Sequence, residues 1–317
     1  VPESINGGSS IARSFRILPS VAGAYDATLL FEYFEAELEG NAESDLGAWQ
    51  QDPSFWHNTS FSILDPMNNV MQVEQIDNFG KWTLAPRAPQ VDLRVLLAGP
   101  YNPGNLEMND ELRVANSIPT TEPYAALGYI HPSSGGGESI NPAVLETSGS
   151  DAIVDWVFVE LRDTNDLSIV LAARSALLQR DGDIVDLDGQ SVLSFPEISL
   201  AEMPMISIRH RNHVGIIASS LIDFSNGPAS LDFSTNPALI QGGTAAMMDF
   251  GNGQFGLISG DFDGDGQVQN TDLNALVLTL GSSGYLKGDT DLNGQVQNTD
   301  LQIKLTPNLG RGAQFTY

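Results

Sequence analysis

Residues 260–273 read GDFDGDGQVQNTDL, and residues 288–301 read GDTDLNGQVQNTDL. The last eight residues of the two stretches are identical. No other feature limits the fold as tightly, because each copy must wind its backbone around the same set of oxygen atoms. A hard cation such as calcium takes oxygen ligands, and a 12-position loop supplies them from positions 1, 3, 5, 7, 9 and 12, with glycine at position 6. The first copy offers Asp261, Asp263, Asp265, the carbonyl of Gln267 and Asp272, with Gly266 at the turn. The second offers Asp289, Asp291, Asn293, Gln295 and Asp300, with Gly294 at the turn. The spacing predicts two calcium ions. Magnesium fits less well, because it demands a smaller octahedral shell. Four carboxylates in the first loop and three in the second repel one another without a cation, so folding of this segment is expected to depend on calcium. Val268 and Val296 hold position 8, where paired loops can form a short β bridge.

LNALVLTL (273–280) follows the first loop, with Leu273, Leu276, Val277 and Leu280 at helical spacing. It is the one clear helix that the pattern predicts. After the second loop, Pro307 is expected to stop a helix within about two turns.

Upstream the pattern is β, and the whole reads as mainly β: two β-sandwich modules followed by a small paired-loop module. Residues 1–86 form the first sandwich module. ATLLFEYF (27–34) places Leu29, Phe31 and Tyr33 on one face, and SFRIL (14–18) and KWTL (81–84) are shorter strands. APRAP (85–89) is a proline-punctuated joint. Residues 87–230 form the second module. VDLRVLLAG (91–99) puts Val91, Leu93, Val95 and Leu97 on one face. IVDWVFVELR (153–162) is apolar on nearly both faces, as a central strand is, and RDTND (162–166) turns it into LSIVLAAR (167–174). MISIRHR (205–211) and VGIIAS (214–219) make another strand pair. Residues 231–259 form a Gly-rich connector, and residues 260–317 form the calcium-binding module.

Two loop-then-helix repeats with Asp at position 12 resemble a dockerin module, whose paired F-hands each bind calcium. The resemblance covers residues 260–317. It implies that positions 10 and 11 of each loop, here Asn270 and Thr271 with Asn298 and Thr299, take part in cohesin recognition. The chain departs from that pattern in Pro307 and in the closing NLGRGAQFTY. The upstream stretches ATLLFEYFEAELEG, FGKWTLAP, LLAGPYN, TTEPYAALGY, DAIVDWVFVELR, SALLQRDGDIVDLDG and ISIRHRNHVG resemble β-rich regions of large secreted surface proteins of the Bacteroidota hemagglutinin-like or dockerin-containing type. That resemblance implies export to the cell surface or beyond, an adhesive or structural role, and a Val1 that lies within a longer precursor.

Composition narrows the partners. The net charge is −26, which repels nucleic acid and anionic lipid. There is no cysteine, so disulfides, Cys-based metal sites and a Cys nucleophile are excluded. No apolar run reaches the length of a membrane helix. RDGDIVDLDG (180–189) gathers Asp181, Asp183, Asp186 and Asp188, a third calcium candidate that completes no 12-position pattern. RHRNHVG (209–215) carries His210 and His213, which strand alternation assigns to opposite faces. Trp49 and Trp56 lie in a polar, turn-rich stretch and are the better sugar-stacking candidates, whereas Trp156 belongs to a core strand. No HExxH, GxSxG, P-loop or Rossmann pattern is present. The expectation is therefore a secreted, non-enzymatic, calcium-binding structural protein that self-associates into a filament or surface assembly. A calcium-dependent adhesin that binds a glycan or surface is the alternative, and a dockerin-anchored glycosidase a more distant one.

Overall fold

The computed structural model describes the chain except at 1, 3, 6–7, 21–24, 52–55, 60–61, 77–78, 133–135, 225–226 and 315–317. The fold is mainly β, built from several sheets. The chain forms two compact units, one of residues 1–89 and 195–201, the other of 90–194 and 202–317.

In the first unit, a four-stranded sheet holds Ser14–Arg16, Lys81–Pro86, Leu46–Gln51 and Trp56–Asn58, in that order. A three-stranded sheet holds Ala27–Glu32, Val70–Ile76 and Ser62–Asp65. Phe31, Met71 and Val73 from the small sheet share one core with Ala48, Trp82 and Leu84 from the large one. Two sheets over a common apolar layer are the arrangement of a β-sandwich. The alternation in ATLLFEYF holds: Phe31 and Tyr33 are buried, while Leu30 is exposed.

The second unit is organised on an eight-stranded sheet. Its long central hairpin pairs Ile153–Arg162 with Val170–Gln179. Every residue of Ile153–Arg162 is buried, as the continuous apolar run predicts. Met205–His210 flanks it on the other side and pairs with His213–Ile217 at the sheet edge. All pairings are antiparallel except that of Gln90–Arg94 with Ala229–Asp232. The strand expected over 91–99 stops at Arg94. Beyond it Val95, Leu96 and Leu97 are all buried, because this segment runs between Gly182 and Leu257 and is covered on both sides.

The C-terminal repeats belong to this second unit. A helix covers Asn270–Thr279. The second repeat ends in a six-residue π-helical turn, Asp300–Leu305, and a 3-10 turn, Thr306–Asn308, so the helix is short, as Pro307 requires. Phe262, Val268, Leu276, Val296 and Leu305 of the repeats share a core with Val214 of the sheet-edge strand and with Ile258. The helix buries less than its spacing predicts. Leu276 is buried and Leu273 half-buried, but Val277 and Leu280 are exposed, because the partner turn is too short to cover the outer half of the stripe.

Candidate metal centre

Each repeat winds around its position-1 aspartate. Asp261 accepts from the amides of Gly264 (2.9 Å) and Gly266 (3.1 Å). Asp289 accepts from Asn293 (2.9 Å) and Gly294 (2.8 Å). The turns need left-handed backbone at positions 4 and 6: Gly264 and Gly266 in the first loop, Leu292 (φ 59°) and Gly294 in the second. Glycine adopts that conformation without cost, whereas Leu292 carries some strain, and its side chain is buried.

The position-12 aspartates close the loops onto the following helical turn. Asp272 accepts from Phe262 N (2.6 Å), Asp263 N (3.2 Å) and Gln269 N (2.8 Å). Asp300 accepts from Thr290 N (2.7 Å), Asp291 N (3.1 Å) and Gln297 N (2.9 Å). The position-12 aspartates therefore use one hydrogen-bonding scheme, residue for residue, while the position-1 aspartates share the position-6 amide and differ in the other donor, position 4 in the first loop and position 5 in the second.

Ligand atoms of Asp261, Asp263 and Asp265 lie within 4.8 Å of one another, and so do those of Asp289, Asp291 and Asp300. Asp272 is not part of the first group, although Asp300, whose two oxygens accept from the matching amides, is part of the second. Asn293 Oδ1 accepts from Gln295 N, and Asp265 Oδ1 from Gln267 N. Burial and then the neighbouring Asp272 push the Asp261 carboxyl up from 3.8 to about 7. Burial does the same for Asp289, and burial with Asp300 raises Asp291 to about 6. Asp291 Oδ1 is buried and has no hydrogen-bond partner among the described residues. A buried, unpaired carboxylate oxygen facing two further carboxylates is an arrangement that a cation completes. The donor set is all oxygen, which fits a hard divalent ion.

Val268 and Val296 do not bridge one another. The amide of Val268 donates to Arg311 O and that of Val296 to Ser282 O, so each loop's extended stretch pairs with the chain just beyond the other repeat's helix or turn. Their side chains still meet in the shared core.

Both loops are seated on the sheet-edge hairpin. Arg209 lies 4.2 Å over the Tyr129 ring, and its Nη2 donates to Gly264 O in the first loop (3.1 Å). Arg211 donates to Leu286 O, just before the second loop, and lies 4.1 Å over the Tyr285 ring. Asn212 Nδ2 donates to Lys287 O (2.9 Å) and Asp289 O (2.8 Å). Asp155, at a β-bulge in the central strand, anchors the turn: its carboxylate accepts from Arg211 Nε (2.8 Å) and Tyr285 Oη (2.6 Å). Burial opposes its ionisation, but Arg211 and His210 outweigh that and hold the carboxyl at about 2.

His210 and His213 lie on one side, not on opposite faces. They are partners across a two-residue hairpin, with their Nδ1 atoms 3.0 Å apart. His213 Nε2 accepts from Gly99 N (3.0 Å), which leaves Nδ1–H to be shared between Asn212 Oδ1 (2.8 Å) and His210 Nδ1. His210 Nε2–H then donates to Asp155 Oδ2 (3.2 Å). Burial lowers both imidazole pKa values, so the pair is neutral at pH 7.

The other sequence candidates do not assemble. Asp181, Asp183, Asp186 and Asp188 form no metal-holding group among the described residues. Strand Asp183–Val185 separates them into two turns, where Asp181 caps Asp183 N and Asp188 caps Gln190 N and Ser191 N. Trp49 is 2 % exposed and its indole N–H donates to Ala85 O, so it belongs to the core and not to a sugar platform. Trp56 packs half-buried beside it. Asp155, Arg209, Arg211 and Tyr285 were not singled out by sequence. The one signal they left is charge within an apolar run, Asp155 and Glu160 in IVDWVFVELR.

No family model and no curated protein matches the chain. Among solved structures, an N-terminal interface mutant of a type II cohesin–X–dockerin complex from Acetivibrio cellulolyticus is similar at a TM-score of 0.30 and 12 % identity, over 49 % of this chain and 81 % of that chain. A likeness at that score decides neither fold nor function. No described helix is long and apolar enough to cross a membrane.

Proposed function

We propose that residues 260–317 are a dockerin-like module that binds two calcium ions, one in each loop. In this reading calcium fastens the repeats to the sheet-edge hairpin and makes the protein a rigid structural subunit of an extracellular filament or surface assembly. The observation that carries the calcium reading is the convergence of three carboxylates in each of two loops of like geometry, with Asp291 Oδ1 buried and without a hydrogen-bond partner among the described residues. Calcium would enter as the missing partner of these groups, with Asn293 and the carbonyls of Gln267 and Gln295 adding oxygen donors. Because a metal that binds only the folded state stabilises it, each site adds about 2.7 kcal/mol when calcium exceeds its Kd a hundredfold. The structural role is supported by the seating of both loops through Arg209, Arg211 and Asn212. Asn270, Thr271, Asn298 and Thr299 are exposed, as a dockerin-type contact would need.

The test is thermal melting of the full chain in calcium and in excess chelator, with Asp265→Ala alongside. Chelation is expected to lower the melting temperature, and Asp265→Ala to bind about one calcium fewer per chain. An unchanged melt in chelator sinks the proposal.

A further inference from the structure

A third group of ligand atoms lies far from the repeats in sequence. Glu122, His131 and Glu138 bring one imidazole nitrogen and two carboxylate oxygens within 4.8 Å of one another. The loop that carries them is closed at its neck: Thr121 bridges Ser139, and Glu122 N donates to Glu138 O (2.9 Å). His131 sits on the body of the loop and points back towards that neck.

Each donor is fixed from behind. Glu122 is buried and accepts from the amides of Tyr124, Ala125 (3.0 Å) and Gly137 (2.9 Å). His131 Nδ1 lies 3.1 Å from Tyr129 O, which sets the tautomer with the proton on Nδ1 and the lone pair on Nε2; Ser175 Oγ lies 3.4 Å from Nε2 and 3.3 Å from Glu122 Oε2, so an ion bound to both would displace that hydroxyl. Its ring packs edge-on against Phe158 (4.8 Å) and lies so close to Gly136 that a Cβ there would come within 3.0 Å of it. Glu138 Oε1 accepts from Gly136 N (3.1 Å). Glu138 Oε2 is buried and has no hydrogen-bond partner among the described residues.

No described ion pair joins His131 to either glutamate. The three groups lie close together without bonding directly to one another, and the Ser175 hydroxyl stands between His131 and Glu122. Donors on one first-row divalent cation at about 2.0–2.2 Å stand about 3–4 Å apart, so small side-chain rotations bring the set onto an ion. Nitrogen with two carboxylates suits zinc and its neighbours better than calcium, which prefers oxygen alone.

We propose that Glu122, His131 and Glu138 bind one first-row divalent cation of the zinc class, which ties His131 to the neck of its loop. Three protein donors leave a coordination position to water. The site shares no residue with the calcium loops.

The probe is zinc, titrated into the full chain in millimolar calcium against a chromophoric chelator. The expected result is one zinc per chain, weakened about tenfold or more in His131→Ala and in Glu138→Gln, the scale on which even a supporting residue affects metal affinity. Asp265→Ala should keep the zinc stoichiometry, which separates this site from the repeats. Cobalt in place of zinc should give a visible absorption band that both variants lose. His131→Asn serves if His131→Ala does not melt cooperatively. Absence of zinc binding, or zinc affinity unchanged in the folded variants, overturns the proposal.

Discussion

At the scale of single residues, the attachment of the repeats rests on close approaches and on buried charge. Gly99 is the tightest case: a Cβ there would lie 1.7 Å from Thr290 O, in the second loop. Gly99→Ala must therefore push that loop away from the sheet, an overpacking that costs about 1–3 kcal/mol. Calorimetric titration should show the second calcium weakened and the first unchanged. Arg211 is the second case. Removing it by Arg211→Met leaves the Asp155 carboxylate buried with its main counter-charge gone, a change that costs about 3–5 kcal/mol. Urea unfolding of the calcium-loaded chain measures it. Neither residue was marked by its sequence context. Gly99 stands in an ordinary LLAGPYN stretch, and Arg211 reads as a polar strand end, because what each meets lies far along the chain.

At the scale of elements, the loops were legible and their seat was not. The 12-position pattern predicts the ligands because they are local in sequence, and the structure groups Asp261, Asp263 and Asp265, and Asp289, Asp291 and Asp300. Asp272 stands outside its group, whereas Asp300, at the same loop position and with the same amide donors, stands inside the other. Alternation assigns His210 and His213 to opposite faces, but it holds along one strand and fails across the two-residue turn that pairs them. The loops also set a pH dependence. Folded Asp261 and Asp289 titrate at about 7 and Asp291 at about 6, all raised from 3.8. Between those values the folded metal-free chain holds more protons than the unfolded chain, so its stability falls as pH rises from about 4 to about 7. Calcium bound in the loops would hold these groups ionised and remove the fall. The histidine pair acts with the opposite sign. Its lowered pKa values mean that the unfolded chain binds more protons below about 6.5, so stability drops there on acidification. That term is common to both conditions. The gap between melting curves with calcium and with chelator should therefore widen from pH 5 to pH 7, by about the amount the loop carboxylates supply.

At the scale of the whole molecule, the mainly β character followed from period-two runs and turn residues, which are local signals. Joining of the repeats to the second unit did not, because Val214, Ile258 and the Arg211–Asn212 turn act across long sequence separations. A module with its own period and composition reads as self-contained, yet here part of its core is lent by a sheet edge. The structural role makes a prediction at this scale. Negative-stain microscopy of concentrated protein should show polymers in calcium and dispersed particles in chelator; monodisperse particles in both would argue against a filament subunit. Beneath every reading lies the occupancy of the two loops, and calorimetric titration of the metal-free full chain with calcium measures it directly. Two ions per chain are expected, and about one in Asp265→Ala. A titration that shows no calcium binding would contradict that expectation.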